Sequence, residues 1–243
     1  MSRMAWAGKS DIGLKRRNNE DTFLISTELG FCLVADGIGG AAAGEVASRT
    51  FAETAGEIFQ SAQPLSEKDV IQTVRETFKA ANERVREHIR RNPAHLGMGC
   101  TAELLAFHPH GFVLGHLGDS RTYRLRDAQF TRLTSDHTLV QAQLEQGLIT
   151  PEAARTHPMR HVILRAVSGE EAVELDLIRG KILPGDGFLL CSDGLTDMVD
   201  DARVHEILAA GGSVQTRVDR LVEEALAAGG RDNVTVVLCE VVG

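Results

Sequence analysis

Four aspartates in this chain each stand at the edge of a short apolar run. Asp36 closes FCLVA, Asp119 follows FVLGHLG, Asp193 follows FLLCS, and Asp232 lies in GGRDN just before VTVVL. Two further acids, Glu20 and Asp21, end the first polar loop. A hard divalent cation needs several oxygen ligands converging on one point, and carboxylates at strand ends can supply them. Gly37 follows Asp36 as Gly194 follows Asp193. A glycine there leaves backbone carbonyls open to a ligand and lets the chain turn sharply. Any one of these Asp-Gly or Asp-Asn pairs alone reads as a turn. Four aspartates that each abut an apolar strand read together as a metal site.

The stretch around Asp36, FCLVADGIGGAAAGE, also admits a second chemistry. Gly37, Gly39 and Ala42 spell the G-x-G-x-x-A turn of a dinucleotide site. That reading requires a βαβ unit of about 30 residues with an acid about 20 positions on, at the tip of the second strand. Here the helical pattern after Gly40 runs to about residue 62 and a second long helix follows, so Glu53 and Glu57 fall inside a helix. The turn is present and its context is wrong; a dinucleotide-binding protein stays as the remote alternative. Other hydrolytic chemistries are excluded directly. A cysteine phosphatase needs C-x5-R, yet six residues after Cys32, Cys100 and Cys191 stand Ile38, Ala106 and Asp197. H-E-x-x-H fails because His205-Glu206 continues to Ala209, and the nine histidines show no ligand cluster.

The elements that must position these acids are legible from periodicity. Residues 4–13, 22–27 and 31–35 read as strands around the polar loop KRRNNED at 15–21. From about Ala41, Val46, Ala47, Phe51, Thr54, Ala55, Ile58 and Phe59 recur at helical spacing. Ser66 with Asp69 forms a capping-box pattern ahead of Val70, Ile71, Val74, Phe78, Ala81, Val85 and Ile89. Residues 100–107, 111–117, 121–126 and 129–133 read as an antiparallel meander. Short helices follow at 137–146 and 150–155, the latter with Pro151 at its first position. Residues 156–169 read as a mobile connection, 173–179 and 186–191 as strands, about 200–210 and 213–228 as helices, and 234–242 as a last strand. Strands and helices come in blocks, which favours packed antiparallel sheets over a parallel one. One domain accounts for the chain.

The composition agrees. At 243 residues, 43% hydrophobic and 25% charged, the chain has the makeup of a globular protein with a sizeable core. Its 26 basic against 34 acidic residues give a formal charge of -8, which argues against a nucleic-acid or anionic-membrane surface. No apolar run approaches a membrane span and the first residues lack a signal-peptide core. Four scattered cysteines without a C-x-x-C pair point to a reducing compartment, so a cytoplasmic protein is expected.

The set GLKRRNNED (13–21), VADGIGG (34–40), GDSR (118–121), SDGL (192–195) and RDNVT (231–235) resembles the metal-dependent type-2C Ser/Thr protein phosphatases, the PPM family. Order and spacing match from about residue 8 to 240. The resemblance implies an α+β fold: a central β-sandwich of two antiparallel sheets flanked by helix pairs on both outer faces, forming one domain over 1–243 with a flap at about 135–168. It implies two or three Mg²⁺ or Mn²⁺ ions. Asp36 would bridge two of them, with the Gly37 carbonyl on one and Asp193 and Asp232 on the other. Asp119 with Asp193 would hold a third, and Glu20 and Asp21 would act mainly through water. Arg16 falls at the phosphate-binding arginine, and a planar guanidinium suits phosphoryl oxygens.

The implied activity is hydrolysis of phosphoserine and phosphothreonine in proteins by metal-activated water, opposing a cognate Ser/Thr kinase, in a monomer. A metal-binding regulatory module on the same fold is the alternative. One departure stands out: where many bacterial members carry a histidine after the glycine turn, a candidate proton donor, this chain has Ala41. His157 and His161, in the flap, are the residues that could compensate.

Overall fold

The computed structural model describes residues 3–39, 43–64 and 66–242, with the backbone alone at Arg3. Ala41 and Ala42, and with them the expected start of the first helix and part of the dinucleotide-like turn, lie outside the described residues.

Twelve strands are assigned among these residues: β1 (Arg3–Asp11), β2 (Thr22–Ser26), β3 (Phe31–Ala35), β4 (Gly37–Ile38), β5 (Gly99–Cys100), β6 (Ala102–His108), β7 (Gly111–Leu117), β8 (Arg121–Arg126), β9 (Gln129–Arg132), β10 (Asp176–Lys181), β11 (Gly187–Cys191) and β12 (Val234–Val242). The helices are α1 (Gly44–Ala62), α2 (Glu67–Arg91), α3 (Leu139–Glu145), α4 (Pro151–Thr156), α5 (Asp193–Thr196), α6 (Asp201–Ala209) and α7 (Val214–Ala227). One sheet runs β1-β12-β11-β8-β9 and the other β10-β7-β6-β3-β2, with β4-β5 as a small third pair. Every pairing is antiparallel. The described residues therefore contain no parallel βαβ unit, and β3 runs between β2 and β6 rather than into a dinucleotide crossover.

Apolar runs such as FCLVA are continuous because the central strands are buried on both faces. On β3, Cys32 and Val34 pack into the space between the sheets with Leu105, Phe188 and Val237, while Phe31, Leu33 and Ala35 face Phe51, Phe59 and Phe78 of α1 and α2. On β12 the same alternation sends Val237, Cys239 and Val241 inward and Val234, Val236 and Leu238 outward to α7. Period-2 side-chain alternation thus feeds two cores at once, giving the α-β-β-α layering. The helix pairs are α1 with α2 on one face and α6 with α7 on the other. The capping box on α2 forms as its sequence predicts, with Ser66 accepting from the Asp69 N–H and Asp69 reaching back to Ser66.

Three segments depart most clearly from their sequence expectation. The strand expected at 100–107 is interrupted at Thr101, whose N–H donates to the Asp36 carbonyl at 2.8 Å instead of continuing a ladder. The strand expected at 173–179 is shifted to Asp176–Lys181 by its pairing with β7. The segment 156–169 is tied down at several points, with isolated bridges joining Thr138 to Ile163 and Cys100 to Val167. Asn82 of α2 closes its far end, accepting from the Gly169 N–H at 2.8 Å and donating to the Glu170 carbonyl at 2.7 Å.

Candidate metal centre

Register brings the acids to one end of the sandwich. Thr22 lies opposite Ala35 and Ala102 opposite Leu117, so the start of β2 and the ends of β3 and β7 share an edge. Cys191 lies opposite Val236 and Arg121, which aligns the end of β11 with the start of β12. Asp21, Asp36 and Asp119 leave the first sheet at that edge, and Asp193 and Asp232 leave the second.

Their electrostatics show how closely they are gathered. Burial pushes the Asp36 carboxyl well above the usual carboxylate range, reinforced by Asp21, Asp193, Asp119 and Asp232. Asp193 is displaced the same way by burial and then by Asp119, Asp197, Asp232 and Asp21. Asp119 is pushed up to about 6 by burial and by Asp136, against the pull of Arg121. Asp21, nine-tenths buried, is also raised to about 6 by burial, although Thr235 and Ser192 bond to its ionised form. Glu20 rises through its own burial and the neighbouring Glu45. Mutually repelling carboxylates in a partly desolvated floor hold either protons or cations.

Hydrogen bonds fix the backbone around them. Thr101 and Asp36 bond reciprocally, with the Asp36 N–H donating to Thr101 Oγ1 at 3.0 Å, and Thr101 Oγ1 lies 2.7 Å from Ser120 Oγ beside Asp119. Ser192 Oγ donates to Asp21 Oδ2 at 2.8 Å and accepts from the Thr235 N–H, joining the two sheets. Asn233 holds the first loop: its Nδ2 donates to the Ile12 and Asn18 carbonyls at 2.9 Å each, and its Oδ1 accepts from the Glu20 N–H at 2.8 Å. That loop presents Arg16, whose guanidinium meets Asp232 Oδ2 at 2.5 Å.

The glycines that follow Asp36 and Asp193 are required by close approach, and neither has a positive φ. A Cβ on Gly194 would sit 1.9 Å from the Asn233 carbonyl oxygen, and one on Gly37 would sit 2.4 Å from the Gly44 backbone. The sharp turn expected at these positions is thus a contact between backbones.

Two carboxylate oxygens, Asp21 Oδ1 and Asp193 Oδ1, are buried without any hydrogen-bond partner. Orphaned buried oxygens in an all-oxygen cluster fit the donor set of a divalent cation, which gives each a positive partner.

A cleft of about 900 Å³ opens on this floor, reaching Asp119, Asp193, Asp232, Asp197 and His161. The cleft brings in Asp197, which sequence spacing did not place there, and seats beside it His161, one of the two flap histidines named from the sequence. His161 Nδ1 lies 4.0 Å from Asp197 Oδ2, and ligand atoms of His161, Asp193 and Asp197 all fall within 4.8 Å of one another. Asp197 could have been found from its i+4 spacing to Asp193. His157 instead accepts from the Met159 N–H and is not part of this group. Thr101, Ser192 and Asn233 had no local signal, because their partners are distant in sequence.

Comparison with known proteins agrees with this geometry. A family model described as protein phosphatase 2C matches residues 8–228. Serine/threonine protein phosphatase PstP of Mycobacterium tuberculosis is 40% identical over 239 residues, 98% of this chain and 45% of that protein. This chain therefore spans less than half the length of that relative. Protein phosphatase PhpP of Streptococcus pneumoniae is 33% identical, with 94% of both chains covered. Among solved structures, the M. tuberculosis PstP/Ppp phosphatase superposes with a TM-score of 0.92 at 38% identity, covering 99% of each chain. The PstP catalytic domain in complex with two manganese ions superposes at 0.89, also with 38% identity and 99% coverage of each.

Proposed function

The chain belongs to the protein phosphatase 2C family, and from that membership we propose that it hydrolyses phosphoserine and phosphothreonine in proteins with two or three Mg²⁺ or Mn²⁺ ions. The observation that carries this reading is the floor of aspartates drawn from both sheets, with two buried carboxylate oxygens left unpartnered. The manganese ions in the PstP catalytic-domain structure support the same donor chemistry.

In this reading Asp36 and the Gly37 carbonyl, with Asp193 and Asp232, hold the core cations. Asp119 shares a further one with Asp193, while Glu20 and Asp21 act mainly through water. Bound there, such cations neutralise phosphoryl charge and lower the pKa of an attacking water. The chain's own residues orient the reaction. Thr101 fixes the Asp36 backbone, Ser192 holds Asp21 against the second sheet, and Asn233 anchors the loop that carries Arg16. Arg16, at the mouth and half-exposed, offers its planar fork to the phosphoryl oxygens.

The same reading takes residues 1–243 as one catalytic domain with a flap over 135–168, acting as a monomer in the cytoplasm in signalling opposite a Ser/Thr kinase. Four free, buried cysteines support a reducing compartment. Release of phosphate from a phosphothreonine peptide in Mn²⁺ tests the function. Turnover should stop on adding EDTA and return with excess Mn²⁺; a chain that binds Mn²⁺ yet releases no phosphate would be the regulatory module instead.

A further inference from the structure

The cleft beside the acidic floor carries charges that the proposed hydrolysis does not use. Arg121 and Arg132 both line it, and both are committed to Asp136, the former in two hydrogen bonds. Arg155, Arg160 and Arg231 line the same cleft, are exposed, and make no side-chain hydrogen bond or ion pair among the described residues. Two of them come from the flap, Arg155 in α4 and Arg160 in the loop after it, and Arg231 directly precedes Asp232. The cleft's lining carries seven aspartates and five arginines, and these three guanidiniums are the ones that no hydrogen-bonded or ion-paired acid holds among the described residues.

Acids on the same wall are already engaged. Asp136 is held by two arginines, Asp201 accepts from the Tyr123 hydroxyl at 2.9 Å, and Asp200 caps α6. Asp119, Asp193 and Asp232 are the proposed cation ligands. Asp197 alone remains, 4.0 Å from His161. A guanidinium presents a planar fork of donors that matches a carboxylate or phosphate.

We infer that Arg155, Arg160 and Arg231 form a second anion subsite, which takes a carboxylate or a further phosphate on the same substrate chain as the phosphoryl group being removed. This rests on the phosphatase reading and narrows its substrates to acid-flanked or multiply phosphorylated segments. Exposed charge pairs are individually weak, so three together amount to about tenfold in KM.

The test uses this chain with Mn²⁺ and four substrates: p-nitrophenyl phosphate, a phosphothreonine peptide with neutral flanks, one with Asp and Glu flanks, and one with a second phosphothreonine. The expected result is a KM about tenfold lower for an anionic peptide than for the neutral one, at similar kcat, with the gap closing in high salt. The two anionic peptides separate carboxylate from phosphate as the ligand. An Arg155→Gln, Arg160→Gln, Arg231→Gln triple variant should lose the preference, and the corresponding triple lysine variant should keep part of it. Equal KM for all three peptides in the unaltered chain overturns the subsite, as does a glutamine variant that keeps the preference. Failure to turn over p-nitrophenyl phosphate overturns the phosphatase reading, and the subsite with it.

Discussion

Replacing Asp193 or Asp36 by asparagine removes one negative charge from a floor where burial and neighbouring carboxylates already oppose ionisation. Each variant should lose Mn²⁺-dependent hydrolysis of a phosphothreonine peptide, while the chelated protein melts at or above the unaltered temperature because a repulsion has gone. Full activity in either variant would sink the ligand assignment. The same floor sets a pH dependence. Asp21 and Asp119 are raised to about 6 in the fold, whereas a free aspartate titrates near 4, so between these values the folded chain binds more protons than the unfolded one. Stability in EDTA should therefore fall as pH rises from about 4 through about 6, read as a dropping urea midpoint. A midpoint that climbs across that window contradicts the shifts. The aspartates themselves were legible because each abuts an apolar run. Ser192 and Thr101 were not, since a hydroxyl's role depends on a partner far along the chain, such as Asp21 for Ser192.

Among the elements, the first loop depends most on a single side chain. Asn233 satisfies the Ile12 and Asn18 carbonyls and the Glu20 N–H, and it is buried. Asn233→Ala leaves those groups unpaired at a cost of roughly 2–4 kcal/mol, and it frees the loop that presents Arg16. Chemical denaturation should register the first effect, and a raised KM for phosphopeptide the second; an unchanged denaturation midpoint would refute the anchoring role. Elements with local signals were readable in advance. The Ser66–Asp69 box marks α2 because both partners lie within one turn. The break at Thr101 and the anchoring of the flap by Asn82 and Val167 follow from contacts across the fold, which periodicity does not encode. Gly37 and Gly194 show the same limit: their sequence marks a turn, and their surroundings reveal backbones in contact.

At the scale of the molecule, blocks of strands and helices were enough to indicate antiparallel layers. The pairing of β1 with β12, residues 3–11 against 234–242, was not readable from pattern, because any exposed edge with the right alternation could have accepted the first strand. That pairing places Asp232 beside the first loop. Binding of Mn²⁺ at a hundred times its dissociation constant should stabilise the fold by about 3 kcal/mol, a rise of roughly 5–10 °C in melting temperature for a chain of this size. No rise in differential scanning calorimetry would exclude tight binding to the folded form.

The two sheets give unequal shares to the acidic floor: Asp21, Asp36 and Asp119 from one, Asp193 and Asp232 from the other. At that end the sheets are joined by side-chain packing and by a few side-chain bonds: Ser192 to Asp21, Asn233 to the Glu20 N–H, and Thr122 to Glu103. A cation shared by Asp36 and Asp193 would act as a rivet through both layers. Loading should then slow hydrogen exchange in β3 and β11 together, although no hydrogen bond links those two strands.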